Sequence, residues 1–370
     1  MPPEFIFRKS PTASFRSGFQ KKAKERVLPF LLALLSVLLS LSQANGASVD
    51  EPPSPGEVLR DLRLPGELKK RILALNPGLV SETDVRETLA HSPAPKIFLI
   101  HGGVPASGAT MESFGEFLVE MGYPREALQN PQHRSLSYSP YQSSSGMAGY
   151  VAWYYEQTGM RPMVIGHSMG AMQTNLILHV LNGEFNHRLS VWNPQTGKSE
   201  ARDQITDPLL GTSRRVVGLK LSYASALAAG GMARLVPSHW IMLGRLRTIP
   251  DTVEDFVGYY IGMDPIGGDL LGFGSVNNYN PVGSAKVRTV SLPFGAEHFS
   301  APVVGHLAKN PETRAWIDRY QPGVSLEAQK PPPADSGHIV YAADVWHSVK
   351  QHWVLELQRL IKARNKLIGD

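Results

Sequence analysis

One stretch of nine residues, 162–170, constrains the fold of this 370-residue chain more than any other. An apolar run leads into the pattern Gly-x-Ser-x-Gly, and apolar residues at helical spacing follow it, namely Met172, Leu176 and Val180. This order predicts a buried strand that turns sharply into a helix, with the side chain of Ser168 at the tip of the turn. Gly166 and Gly170, two positions on either side, remove the Cβ atoms that would clash in so tight a turn. The helix would direct its free N–H groups toward any negative charge formed at Ser168.

The residues before this stretch alternate between strand-like and helix-like segments. An apolar run ends at Ile100 and is followed by His-Gly-Gly at 101–103, then by apolar residues at helical spacing after Thr110. A short strand is predicted at 134–138, and Ser143 is placed to cap the next helix. Strands that alternate with helices in this way predict an α/β fold with a parallel sheet.

The Gly-x-Ser-x-Gly stretch, with His167 before the serine, resembles the nucleophile elbow of the α/β-hydrolase family, and among its members the lipases and esterases. His101-Gly-Gly103 resembles the oxyanion loop of the same family. The resemblance implies a mostly parallel central sheet with helices on both faces and a catalytic Ser168. It also implies an oxyanion hole made by the backbone N–H groups of Gly103 and Met169.

A reactive serine needs a base, and the base needs a carboxylate that orients it. In this family the acid follows the serine along the chain and the histidine comes last. Asp264, which turns out of a strand-like run at 256–261, is the preferred acid, with Asp269 as the alternative. Asp251 and Asp255 precede that run and are interpreted as a cap and a surface charge.

The predicted base is His298, which follows within six residues of the last predicted strand, 287–292. His306 is its rival, because it lies closer to a helix that begins at Asn310-Pro311. His338, His347 and His352 are weaker candidates for the base, because they lie beyond the proline run 331–333 and the stretch 344–363 is typical of a packing helix. His101 is expected to orient the oxyanion loop, and His167 to pack beside the sheet.

Residues 224–250 are unusually apolar and are interrupted by Gly230-Gly231 and Pro237. In a hydrolase such an insertion resembles a helical lid over the active site, which could contact a lipid surface transiently. The alternative is one more packed pair of helices. The predicted hydrolase domain covers residues 96–370, and the resemblance itself covers about 96–320.

The first 46 residues have the order of a secretory signal peptide. A basic segment, 1–26, precedes an uncharged apolar run at 27–42, and small residues follow. The run is about 16 residues long, which is short for a membrane span, so cleavage is favoured over an N-terminal membrane anchor. The sequence therefore predicts a secreted or periplasmic protein, with a spacer and helices at 47–95.

Composition excludes several classes of function. The chain has no cysteine, which excludes disulfides, thiolate metal sites and catalytic thiols. The net charge of +5 is concentrated in the leader, so the remaining chain is close to neutral and no nucleic-acid partner is expected. No metal or cofactor is expected either, since a His-Glu-x-x-His motif is missing from the sequence.

Three functions remain open at this point. The first is a serine hydrolase that cleaves small-molecule or lipid carboxylic esters through an acyl-enzyme on Ser168. The second is an acyltransferase that passes the same acyl group to an alcohol. The third is an exported protein of the same fold that binds a lipid or a partner without catalysis. The resemblance favours the first.

Overall fold

The computed structural model describes residues 62–186, 188–229, 237–267, 278–293, 296–332 and 336–368. The predicted signal peptide, the spacer up to residue 61 and the alternative acid Asp269 lie outside these residues, as do residues 230–236 of the predicted lid.

Parallel strands form the centre of the fold. The strands, in chain order, are β1 (Ile97–Ile100), β2 (Ser137–Tyr138), β3 (Met163–His167), β4 (Trp192–Asn193), β5 (Lys198–Ser199), β6 (Gln204–Thr206), β7 (Ser213–Arg215), β8 (Leu221–Leu227), β9 (Thr248–Pro250), β10 (Val253–Ile261), β11 (Asn280–Val282) and β12 (Lys286–Leu292). Six of them make one sheet in the order β12-β10-β8-β3-β1-β2. Every neighbouring pair in this sheet is parallel, which confirms the predicted parallel sheet.

Helices cover both faces of this sheet. They are α1 (Gly66–Ala74), α2 (Glu82–Glu87), α3 (Ser107–Glu120), α4 (Ser144–Thr158), α5 (Met169–Leu181), α6 (Pro311–Arg319), α7 (Leu326–Gln329) and α8 (Ser336–Ile368). Alternate strand residues face opposite sides, so Leu99 joins an apolar cluster with α3 and α8, whereas Phe98 joins a second cluster with α4 and α5. The predicted α/β architecture with helices on both faces is confirmed.

The order of the strands fixes where a site can form. From β1 the chain first adds β2 on one side and then returns to place β3 on the other, so the connections leave the sheet in opposite directions at this point. In open parallel sheets, the carboxyl ends of the strands at such a switch point border a crevice. The residues that follow β1 and β3 therefore lie close together at the carboxyl edge of the sheet.

The predicted N-terminal helices pack against the same apolar cluster as α8. Ser81 caps α2 with a reciprocal capping box, in which its Oγ accepts from the N–H of Asp84 at 3.2 Å. Gln358 of α8 donates to the carbonyl groups of Ile72 and Leu75 at 3.0 and 2.9 Å. These bonds join the end of α1 to the long C-terminal helix.

The lid prediction for 224–250 is wrong in its first part. Residues 224–227 belong to β8, a fully buried strand in the middle of the sheet. The chain enters β8 only at Leu221, because Gly218 adopts a φ of +87° and the N–H of Leu219 donates to the carbonyl of Val216 in a turn. In β8 the small residues alanine and serine fit between two helical layers, so the segment lacks the polar–apolar alternation of a half-exposed strand.

The described remainder of that segment is neither a helical lid nor a pair of helices. A 3₁₀ helix at Pro237–Met242 leads through turns into β9. It lies along α5, where Asn175 donates to the carbonyl of Leu246 at 3.1 Å and Met242 is buried. Earlier in the chain, between α5 and β8, β4 and β5 form an antiparallel hairpin.

Among the helices of the described residues, none combines the length and the apolar composition that a membrane crossing requires.

Candidate active site

The turn from β3 to α5 carries Ser168 in a backbone conformation that side chains avoid, with φ +55° and ψ −117°. The serine N–H donates to the carbonyl of Leu227 at 2.8 Å, which fixes the turn to the end of β8. A Cβ atom on Gly166 would lie 2.3 Å from the carbonyl oxygen of Gly170, and one on Gly170 would lie 2.2 Å from that of Ile100. Glycine is therefore required at both positions, as predicted, because neighbouring backbone atoms leave no room for a Cβ atom.

The side chain of Ser168 meets two others that come from distant parts of the chain. Its Oγ lies 2.9 Å from Nε2 of His298, and Nδ1 of His298 lies 2.7 Å from Oδ2 of Asp264. A carboxylate only accepts, so Nδ1 carries the proton and Nε2 presents its lone pair to the serine hydroxyl. His298 is 7% exposed and Asp264 is 6% exposed, so both groups are largely shielded from water.

Asp264 lies in the turn that leaves β10, as the sequence predicted. Its Oδ1 accepts from the backbone N–H groups of Ile266 and Gly267 at 3.0 and 2.9 Å. Burial raises the pKa of this carboxyl, but the hydrogen bonds from His298 and from the Gly267 amide outweigh burial, and the pKa lies below its usual value. A Cβ on Gly267 would lie 2.3 Å from Oδ2, so the glycine makes room for the carboxylate.

His167 lies directly beside His298, the predicted base. The two imidazole rings are 5.2 Å apart, and Nε2 of His167 donates to the backbone carbonyl of His298 at 2.7 Å. Its Nδ1 is buried without a hydrogen-bond partner. Burial, with the proximity of His298, lowers the pKa of His167 to about 3. His167 therefore packs beside the sheet, as expected, and as a neutral ring it also makes a hydrogen bond to the backbone of His298.

The oxyanion loop predicted at 101–103 lies against the elbow. A Cβ on Gly102 would lie 3.3 Å from the Cβ of Ser168, and one on Gly103 would lie 3.4 Å from the Cβ of Met169. The loop and the start of α5 are therefore in close proximity, as an oxyanion hole requires. The side chain of His101 makes a hydrogen bond inside this loop, from its Nδ1 to the carbonyl of Gly102 at 2.7 Å.

His306, Asp251 and Asp255, which the structure describes, lie away from Ser168. His306 is on the exposed surface just before the 3₁₀ helix Leu307–Lys309. Asp251 accepts from Lys220 and Ser284 on the surface. The interpretation of Asp255 is wrong, because it lies inside β10 and accepts from the buried His352 at 3.0 Å. Among Asp251, Asp255 and Asp264, which the structure describes, Asp264 is the one that contacts His298.

Two contacts of the site were not predicted from the sequence. His167 and the carbonyl it binds are 131 residues apart, and the hydroxyl of Tyr141 donates to the carbonyl of Gly103, 38 residues away, at 2.6 Å. Both depend on how strands and loops come together in space. Only the position of His167 inside the elbow motif could have suggested a role near the serine.

The arrangement can transfer a proton from a serine hydroxyl to an imidazole whose positive form a buried carboxylate would stabilise. In the part of the chain that the structure describes, no three histidine or acidic side chains are grouped as metal ligands would be. No protein-family model matches this chain, and no curated protein matches it.

Proposed function

We propose that the protein is a serine hydrolase with an α/β-hydrolase fold, which cleaves carboxylic esters through an acyl-enzyme on Ser168. One observation carries the proposal. Ser168, His298 and Asp264 follow the carboxyl ends of three strands of one parallel sheet and are joined by hydrogen bonds of 2.9 and 2.7 Å. A strained serine at a strand–helix turn adds support, because the strain exposes its hydroxyl.

In the proposed reaction, His298 Nε2 takes the proton of the Ser168 hydroxyl as Oγ attacks the ester carbonyl carbon. The carbonyl oxygen becomes negatively charged and accepts from the N–H groups of Gly103 and Met169. Collapse of this intermediate breaks the C–O bond, and His298 returns the proton to the departing alcohol. A water molecule, deprotonated by the same Nε2, then releases the carboxylic acid.

Apolar side chains on the loops around the site support a substrate with an apolar acyl portion. Exposed residues of this kind flank the oxyanion loop, the acid and the base: Val104, Tyr141, Met263 and Phe299. Trp240, Ile241 and Leu243, in and just after the 3₁₀ helix Pro237–Met242, are also exposed. We propose that the four side chains around the site contact the acyl chain of the substrate, and that the exposed apolar groups at 240–243 contact a lipid surface, since exposed apolar groups favour such contacts.

The test is hydrolysis of p-nitrophenyl esters of increasing acyl length by four forms of the protein. Ser168→Ala and His298→Ala are expected to lower kcat by about four to six orders of magnitude, because each removes a member of a unit that acts together. His306→Ala is the matched control and is expected to retain the activity of the wild type. Substantial turnover by Ser168→Ala, or loss of activity in His306→Ala alone, would contradict the proposal. Unfolding curves of each variant establish that the fold is retained.

A further inference from the structure

We propose that Tyr141 is a positioning residue that holds the oxyanion loop in its working conformation. The inference rests on the proposed function and extends it. Tyr141 lies in the loop after β2, and its hydroxyl donates to the backbone carbonyl of Gly103 at 2.6 Å. Gly103 is the residue whose N–H is proposed to bind the oxyanion.

Two consecutive glycines leave this loop with more backbone freedom than any other residues would. Two backbone hydrogen bonds hold the ends of this loop. At its start the N–H of His101 donates to the carbonyl of Tyr138 at 3.1 Å, and at its end the N–H of Ser107 donates to the carbonyl of Val104 at 2.9 Å. Between these points the hydroxyl of Tyr141 binds the carbonyl of Gly103 itself. This carbonyl belongs to the peptide that joins Gly103 to Val104, so the bond restrains the backbone on the C-terminal side of Gly103. The peptide that carries the Gly103 N–H is held by the bond from Nδ1 of His101 to the carbonyl of Gly102 at 2.7 Å, so the two bonds together set the direction of that N–H.

The loop that carries Tyr141 is fixed to the nucleophile helix as well. The side chain of Gln173, which is 3% exposed on α5, donates to the carbonyl of Gln142 at 2.7 Å. The N–H of Tyr141 also donates to Oγ of Ser139 at 3.3 Å. The loop therefore connects the two elements that supply the proposed oxyanion hole, namely the loop of Gly103 and the helix that begins at Met169.

This connection matters because the two proposed donors come from different elements. An oxyanion hole stabilises charge only when both N–H groups point at one position, about 3 Å from each. Nothing within a single strand or helix sets that distance here. The chain of contacts from Gln173 through Gln142 and Tyr141 to Gly103 spans the gap between the two elements.

The alternative role for Tyr141 is a simple wall of the entrance, because its ring is 68% exposed. Tyr141→Phe separates the two roles, since it keeps the ring and removes only the hydroxyl. Loss of a positioning bond is expected to lower kcat by roughly tenfold, less than the loss of an oxyanion donor itself, and to leave KM within about twofold. Loss of a substrate contact would instead raise KM.

The experiment compares wild type, Tyr141→Phe and Tyr154→Phe, with p-nitrophenyl ester kinetics and inhibition by a trifluoromethyl ketone. This inhibitor forms a tetrahedral oxyanion on a reactive serine, so its Ki reports the oxyanion hole directly. Tyr154 is the control, because it lies near Lys96 at the opposite end of β1. The expected result is a Ki raised in Tyr141→Phe by the same factor by which kcat falls, with Tyr154→Phe equal to wild type and the thermal midpoint unchanged.

Wild-type kcat and Ki in Tyr141→Phe, or an effect on KM alone, would overturn this inference and leave the proposed function intact. A wild-type protein without any Ser168-dependent hydrolysis would overturn the proposed function and this inference together.

Discussion

At the scale of single residues, Ser168 occupies a conformation that costs on the order of 1–3 kcal/mol in an ordinary protein. The surrounding structure enforces this conformation in two ways. The N–H of Ser168 donates to the carbonyl of Leu227, and Gly166 and Gly170 allow the backbone of neighbouring elements to pack closely against the turn. The strain lifts the hydroxyl away from the strand and toward the lone pair of His298.

The neutral His167 predicts a specific pH dependence of stability. The folded protein holds the pKa of this imidazole at about 3, whereas the unfolded chain has the ordinary value of 6.5. Below pH 6.5 the unfolded state therefore binds a proton that the folded state does not, and stability falls as the pH decreases. Between pH 7.5 and 5.0 this one group is expected to cost about 2 kcal/mol of unfolding free energy.

Urea unfolding of wild type and His167→Gln at these two pH values measures the effect. Glutamine can still donate to the carbonyl of His298 but does not titrate. The wild type is expected to lose about 2 kcal/mol more than the variant on acidification. Equal losses in the two proteins would show that His167 takes up its proton in the folded state.

The residues of the proposed triad could be predicted from the sequence because each is marked by its neighbours. Ser168 lies in a motif with required glycines, and Asp264 and His298 follow apolar strands in the expected chain order. The hydrogen bond from His167 to His298 could not be predicted, because it joins a side chain to a backbone carbonyl in a remote loop. Asp255 was misassigned because β10 begins at Val253, three residues before the apolar run that indicates the strand.

At the scale of elements, the packing of α3 on the sheet depends on a glycine that contacts a strand. A Cβ on Gly115 would lie 2.7 Å from the Cβ of Leu136 and 3.2 Å from Cδ1 of Leu99. Gly108, in the same helix, has no atom within 4 Å of the corresponding position. The two positions therefore form a matched pair.

Gly115→Ala is expected to destabilise the protein by about 1–3 kcal/mol, because the helix must move away from the sheet. Gly108→Ala is expected to leave stability unchanged or to raise it by up to about 1 kcal/mol, since alanine favours the helix. Chemical denaturation measures both. A Gly115→Ala variant as stable as Gly108→Ala would show that α3 is not packed this closely.

Elements with a clear periodicity were predicted well, and β8 was not. Five strands of the sheet and the helices α3, α4 and α5 follow patterns of apolar residues that are visible in the sequence. β8 is covered on both faces, and its alanine and serine residues carry no alternation, so it could not be distinguished from an apolar insertion. Its identity depends on the neighbouring strands β3 and β10, which only the folded sheet brings together.

At the scale of the whole molecule, α8 covers one face of the sheet and is connected to its centre by a buried charge. Glu356 of α8 is fully buried, accepts from the N–H and Nε of Arg161 at 2.7 and 2.8 Å, and pairs with Arg359. Burial raises the pKa of this carboxyl, but Arg359 and Arg161 outweigh burial and hold it below its usual value. Arg161 lies two residues before β3, so this pair connects the C-terminal helix to the strand that leads to Ser168.

Glu356→Ala is expected to destabilise the protein by about 3–5 kcal/mol, because it leaves the charges of Arg161 and Arg359 without a buried partner. Glu67→Ala, which removes an exposed pair with Lys70, is the control and is expected to change stability by less than about 1 kcal/mol. Thermal and urea unfolding measure both variants. Similar, small effects in the two would contradict the role assigned to Glu356.

The central claim is that Ser168 is an activated nucleophile, and labelling with a fluorophosphonate tests it most directly, because the reagent reacts with such serines without any knowledge of the substrate. Peptide mapping of the labelled wild type is expected to find the phosphonate on Ser168 alone, with the label lost in His298→Ala and retained in His306→Ala. A folded wild-type protein that takes up no label, or that carries it on another residue, would contradict the account.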